Sequence, residues 1–200
     1  SGHRHHQTPH PALQDVSFSV SPGERIGIIG GNGAGKSTLL LHLNGVLCET
    51  AAIQVDGETV TRPHLDRIRQ RVGLVFQLPD DQLFSHTVYD DVAFGPRQMR
   101  LTEPDVHSRV EKALAQVGMS GFEQRHSQGL SVGEKKRVAL ATVLSMDAGL
   151  LALDEPTAGL DPRSRRHLKK LLLSLPQTQL VVSHDLAFVR KVCTRVLVLH

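Results

Sequence analysis

Nine consecutive residues, Gly30-Gly31-Asn32-Gly33-Ala34-Gly35-Lys36-Ser37-Thr38, satisfy the pattern G-x-x-x-x-G-K-[ST]. Residues of these types suit a polyphosphate. Closely spaced glycines let successive backbone N–H groups turn inward around phosphate oxygens, and the N-terminus of the helix that follows adds its positive end. Lys36 is expected to reach the β- and γ-phosphates, and the Ser37 hydroxyl to coordinate Mg²⁺. A second chemical group, Asp154-Glu155, directly follows the apolar run Leu150-Leu151-Ala152-Leu153. A strand that delivers two carboxylates at its C-terminal edge puts them where open α/β sheets bind ligands. Asp154 is expected to hold Mg²⁺ through water, and Glu155 to polarise an attacking water.

These groups need elements that bring them together. The run Arg25-Ile26-Gly27-Ile28-Ile29 reads as a buried strand entering the glycine-rich loop, and residues 38–47 as the helix leaving it. Upstream, Val16-Ser17-Phe18-Ser19-Val20 alternates with period two and predicts a half-buried strand, closed by a turn at Ser21-Pro22-Gly23. Ile53-Gln54-Val55 before Asp56-Gly57 predicts a strand and turn, and Val72-Gly73-Leu74-Val75-Phe76 a buried strand. From 79 to about 145 the periodicity becomes helical, with Val106, Val110, Ala113, Leu114 and Val117 recurring at three and four. Continuous apolar runs return at 150–153, 180–182 and 196–199, as expected of strands covered on both faces of a parallel sheet. The predicted fold is an α/β P-loop NTPase with a parallel-sheet core, an N-terminal antiparallel β part and an inserted α-helical subdomain. We expect one domain over 1–200, its core formed by 12–77 and 146–200 and its helical subdomain by 78–145.

Composition narrows the classes. The chain has 200 residues, 40% hydrophobic and 22% charged, as in globular proteins, and its apolar runs are far shorter than a bilayer span. Lys and Arg number 23 against 20 Asp and Glu, a net charge of +3 that gives nucleic-acid binding no support. The basic series Arg163, Arg165, Arg166, Lys169 and Lys170 has the spacing of a solvated helix face. Two cysteines, Cys48 and Cys193, build no disulfide framework, fit a reducing compartment and read as small core residues. No signal peptide is visible. Among twelve histidines, His3, His5, His6 and His10 cluster near the start, a pattern that suits nickel or cobalt but more readily describes a mobile terminus without a scaffold.

Further along, Leu130-Ser131-Val132-Gly133-Glu134-Lys135-Lys136-Arg137 resembles the LSGGQ-type signature of ATP-binding-cassette ATPases. Gln77 resembles that family's Q-loop, Ala158-Gly159-Leu160-Asp161 its D-loop, and Ser183-His184-Asp185 its switch histidine. Six motifs in order from residue 30 to residue 185 make the resemblance specific. It implies ATP and Mg²⁺ as cofactors and ATP hydrolysis as the activity. In the implied site, Gly30, Gly31, Asn32, Gly33, Ala34, Gly35, Lys36, Ser37, Thr38 and Gln77 bind nucleotide. Ser37, Gln77 and Asp154 hold the metal, Glu155 activates water and His184 contacts the γ-phosphate. Ser131, Gly133 and Glu134 would reach ATP held by an opposing subunit, so that the functional unit is a head-to-tail dimer with two ATPs. Val132 and Glu134 depart from the usual Gly and Gln of the signature. The aromatic residue that such cassettes place upstream to stack on adenine is missing, and His5 takes that role in this reading.

Residues 78–96, Leu78-Pro79-Asp80-Asp81-Gln82-Leu83-Phe84-Ser85 followed by Thr87-Val88-Tyr89-Asp90-Asp91-Val92-Ala93-Phe94-Gly95-Pro96, resemble the energy-coupling-factor importers, cobalt and nickel members most of all. Integral membrane subunits and a second ATPase chain, identical or related, are then the implied partners. The implied location is peripheral, on the cytoplasmic face of the cell membrane. Because family members continue past the strand that ends near His200, and the first residue is Ser1, a trimmed chain is expected. Two rival readings differ in class: a soluble cassette ATPase acting on nucleic acid in repair or translation, and a non-hydrolysing nucleotide switch. The first needs an insertion that 200 residues do not accommodate, and the second is opposed by the presence of both Glu155 and His184.

Overall fold

The computed structural model describes residues 13, 16–47 and 53–200. Five parallel strands, β1 (Arg25–Gly30), β4 (Val72–Val75), β5 (Leu150–Asp154), β6 (Thr178–Val182) and β7 (Arg195–Leu199), form one sheet in the order β4-β5-β6-β1-β7. Between β1 and β4 lie α1 (Lys36–Leu43), the hairpin β2 (Gln54–Val55) and β3 (Glu58–Thr59), and α2 (Leu65–Arg71). The hairpin turns on Asp56 and Gly57, both at positive φ, as a two-residue Asp-Gly loop requires. Between β4 and β5 the chain builds α3 (Val88–Gln98), α4 (Glu103–Gln116) and α5 (Val132–Leu144), the expected helical insertion. Two further helices, α6 (Pro162–Ser174) and α7 (Leu186–Val192), return the chain to β6 and β7.

Side chains along the central strands leave alternately for the two faces, so an unbroken apolar run serves both. Leu151 and Leu153 pack with Val181 and the helices from α3 onward, whereas Ala152, Leu180 and Val182 join Ile26, Ile28, Leu39 and Leu40 on the α1 and α2 side. Glycines permit two close approaches. A Cβ on Gly27 would lie 2.4 Å from Val189 Cγ1, and one on Gly73 would lie 2.7 Å from Val143 Cβ, so α7 and α5 press directly on the sheet.

One expected strand is absent. Residues 16–20 enter no ladder, and among the described residues the only antiparallel pairing is β2 with β3. The alternation is nevertheless real: Phe18 and Val20 pack against the cluster that contains Ile26, while Ser17 and Ser19 face solvent. Period two was satisfied by side-chain packing alone, with no backbone partner for a ladder.

Candidate active site

Because the five strands run parallel, their C-terminal ends share one edge of the sheet, and that edge carries the chemistry. The glycine-rich loop leaves β1 there. A Cβ on Gly30 would stand 2.2 Å from the carbonyl oxygen of Leu199 on β7, which only glycine allows. Gly33 and Gly35 take φ of 80° and 83°, and Gly35, in the left-handed region, opens α1. Lys36 is 7% exposed, and its ammonium donates to the carbonyls of Gly30 at 3.0 Å and Gly31 at 2.7 Å, holding the charge inside the curl of the loop.

The loop forms one wall of a cavity of about 550 Å³. Residues 32–38 line it together with Gln77, Asp154, Glu155 and His184, which come from the ends of β4, β5 and β6. Four segments distant in sequence thus meet at one place. Gln77 reaches it because Gln82 pins the chain just before it: the Gln82 side chain accepts from the Phe76 N–H at 3.1 Å and donates to the Ala139 carbonyl and the Thr142 hydroxyl on α5.

Asp154 and Glu155 are held differently. Asp154 Oδ1 is buried and has no protein hydrogen-bond partner. An anionic oxygen is stable in that state only when a cation or water completes it. With the Ser37 hydroxyl and the Gln77 amide on the same cavity, the donor set is all oxygen and suits a hard divalent cation such as Mg²⁺. Glu155 is satisfied by the protein. Its carboxylate accepts from the His184 backbone N–H at 2.9 Å and the Ser183 hydroxyl at 3.3 Å, and the His184 ring Nε2 lies 3.4 Å from Oε1. The residue achieves this at φ 41°, a left-handed conformation rare for a side-chain-bearing residue.

The start of α5, residues 131–134, lies outside this cavity. Ser131 caps α5 by accepting from the Glu134 N–H, while the Glu134 carboxylate accepts from Ser131 N at 2.8 Å and Ser131 Oγ at 2.7 Å, a full capping box. Those bonds from Ser131 hold the Glu134 carboxyl below its ordinary range. The Glu134 that departs from the usual signature is therefore the residue that organises the helix start. Ser131 and Val132 are exposed, and neither they nor Gly133 nor Glu134 line the cavity. His5 lies outside the described residues, as does the N-terminal histidine cluster. Among the described residues no group of three or more His, Cys, Asp or Glu is arranged to hold a metal ion.

Lys136 is a site residue that sequence reasoning missed. It is 5% exposed, and its ammonium donates to the backbone carbonyls of Gln77 at 3.1 Å and Glu155 at 3.0 Å. Burial pulls its pKa below the ordinary lysine value, against the opposing pull of the Glu155 and Asp154 carboxylates. A signal was available, because three successive cations on a helix, Lys135-Lys136-Arg137, point about 100° apart and cannot all face water.

Comparison with known proteins gives a consistent result. The profile of the ABC transporter family matches residues 13–158. The "Energy-coupling factor transporter ATP-binding protein EcfA" of Methanothermobacter thermautotrophicus is 50% identical over 196 residues, covering 95% of this chain and 63% of that protein. Among solved structures, cbiO1 from Clostridium perfringens, described as part of the ABC transporter complex cbiONQ, superposes with a TM-score of 0.85 at 40% identity, over 94% of this chain and 78% of that one. The ATP-binding cassette MJ0796, in a dimeric post-hydrolysis state bound to ADP and Pi, gives 0.82 at 26% identity, over 94% and 86%.

Proposed function

We infer, because the chain belongs to the ABC transporter family, that it is the ATP-hydrolysing subunit of a membrane importer of the energy-coupling-factor type with cobalt or nickel ions as cargo. The observation that carries the reading is the convergence of residues 32–38, Gln77, Asp154, Glu155 and His184 on one cavity at the carboxyl edge of a parallel sheet. The likeness to EcfA and to cbiO1 supports the energy-coupling-factor transporter class, and the resemblance of residues 78–96 to cobalt and nickel members supports the metal cargo.

In this reading the amides of residues 31–38 and the Lys36 ammonium cradle the phosphates of ATP. Ser37, Gln77 and Asp154 would hold Mg²⁺, which when bound neutralises charge on the β- and γ-phosphates. Glu155 takes a proton from the water whose oxygen attacks the γ-phosphorus as the bond to the bridging oxygen breaks. His184 hydrogen-bonds the γ-phosphate and, through its backbone N–H, keeps the Glu155 carboxylate in place. Positioning and charge neutralisation carry most of such a reaction. Glu155→Gln is expected to lower turnover about 10² to 10⁴-fold while ATP still binds, and Lys36→Ala to lose nucleotide affinity. Turnover at the unsubstituted rate in Glu155→Gln would remove Glu155 from this role.

No helix among the described residues is long and apolar enough to cross a membrane. Directly beyond Gln77 the surface carries Leu78, 59% exposed, and an edge-to-face pair of Phe84, 67% exposed, and Phe94, 47% exposed, with ring centroids 5.1 Å apart. Exposed aromatic residues this close together favour a protein-docking role. We assign this patch to the integral membrane subunit, with the chain peripheral on the cytoplasmic face of the cell membrane. Phe84→Ala combined with Phe94→Ala should lower cargo uptake by the assembled transporter several-fold and leave the isolated subunit's ATPase rate unchanged. Equal losses in both would remove the patch from coupling.

A further inference from the structure

The three cations on the first turns of α5 have different fates. Lys135 pairs with Asp80, and Arg137 donates to the carbonyls of Val117 and Gly118, all at the rim of the helical part. Lys136 instead enters the interior beside Val75, Leu140, Leu153, Leu168 and Leu172. An apolar side chain of similar volume would fill that space without the desolvation of a buried ammonium. Packing therefore does not account for the lysine, and its hydrogen bonds must.

Those bonds go to two carbonyls, one from each side of the active cavity. Gln77 follows β4 and Glu155 follows β5, and the ammonium lies between them at 3.1 and 3.0 Å. Glu155 needs the support. Its φ of 41° is unfavourable for any residue with a Cβ, and such conformations persist only where surrounding bonds fix them. Three do so: its N–H donates to Val182 O at 2.9 Å, and its carbonyl accepts from Ala158 N at 3.1 Å and from Lys136. The resulting backbone turn is what brings the carboxylate onto the His184 N–H.

We propose that Lys136 is a positioning residue of the ATPase: its ammonium clamps the Gln77 and Glu155 carbonyls together, fixing the direction of the Glu155 carboxylate relative to Gln77. The clamp also links two surfaces. Ser131 caps α5 and Lys136 lies on the same helix little more than a turn later, so a displacement of the exposed helix start is carried to the catalytic edge by one side chain. This inference rests on the assignment of Glu155 as the group that activates water.

The test uses the full chain with Lys136→Met, which keeps most of the volume but removes the donors, and Lys136→Gln, which restores two amide donors at shorter reach. Folding is followed by thermal melting and nucleotide affinity by a fluorescent ATP analogue, with Glu155→Gln in parallel. Lys136→Met should lower kcat about 10- to 100-fold, as expected of a misplaced catalytic group. KM for ATP and the analogue's Kd should change less than about threefold over the same comparison. Lys136→Gln should recover a substantial part of kcat, and amide hydrogen exchange over residues 155–160 should quicken in the Met variant and be slower again in the Gln variant. Unchanged kcat in Lys136→Met, a Kd that worsens by the same factor as kcat, or a Gln variant no better than Met would each overturn the positioning role. Normal turnover in Glu155→Gln would overturn the underlying assignment instead.

Discussion

Asp154 and Glu155 are neighbours with opposite surroundings, and the difference separates their roles. Glu155 has donors on its carboxylate, whereas Asp154 Oδ1 is buried without one. A buried anionic oxygen lacking a donor is where a cation is worth most, so removing its charge should be felt only when the cation is supplied. In Asp154→Asn, ATP affinity measured with EDTA should match that of the unsubstituted chain, while the gain on adding Mg²⁺ should shrink by at least tenfold. An equal loss with and without Mg²⁺ would point to a packing defect. At this scale most of the cavity wall was legible, because the glycine-rich loop and the Asp-Glu strand end have fixed spacings that only a few chemistries need. Lys136 was hidden for a physical reason: a buried lysine in sequence looks like its half-buried neighbours Lys135 and Arg137, and only the tertiary fold decides which one turns fully inward.

Elements were legible where burial on both faces left an unbroken apolar run, as in β5 and β6, or where periodicity persisted over several turns, as in α4. The stretch 16–20 was not, since alternation reports which side chains are buried and says nothing about whether a neighbouring backbone is free to pair. Close contacts between elements were likewise invisible. Gly73 on β4 faces Val143 and Ala148 Cβ atoms at 2.7 and 3.3 Å, stiff groups that cannot swing aside. Gly73→Ala should therefore destabilise the fold by about 1–3 kcal/mol by forcing α5 from the sheet, measured by denaturant unfolding; a neutral change would show that α5 yields freely.

The start of α6 offers a second test on the same scale. Asp161 accepts from the N–H groups of Arg163 and Ser164 and from the Ser164 hydroxyl. These bonds, the hydroxyl first, lower its carboxyl from 3.8 to about 2. A depressed folded-state pKa stabilises the fold above the unfolded value and loses that contribution as protons return. The stability advantage of the native chain over Asp161→Asn should be full above pH 4 and fall away from there toward pH 2, the window set by those two values. A difference that stays constant across that window would mean that the charge contributes nothing at this cap.

The distribution of the site over the whole molecule carries the largest consequence. The phosphate loop, Gln77, Asp154, Glu155 and His184 share one cavity, but Ser131 and Gly133 do not line it, and Ser131 lies exposed at the start of α5. Gly133 leaves room for close approach there: a Cβ would stand 2.6 Å from Ser164 Oγ, so the helix start already rests against α6 and presents its other side outward. If that outward side completes the site of a second copy, as the dimeric cassette MJ0796 invites one to test, ATP binds one chain and turnover needs two. ATPase activity should then rise more steeply than linearly with protein concentration, and Ser131→Arg should abolish turnover without changing the ATP affinity of the single chain. Mixing settles the arrangement. Ser131→Arg combined with an equal amount of Lys36→Ala should regain activity, because in a head-to-tail pair one of the two sites then receives an intact loop from the Ser131→Arg chain and an intact Ser131 from its partner. Strict proportionality down to dilutions where only single chains exist, together with no recovery on mixing, would show that each chain hydrolyses ATP alone.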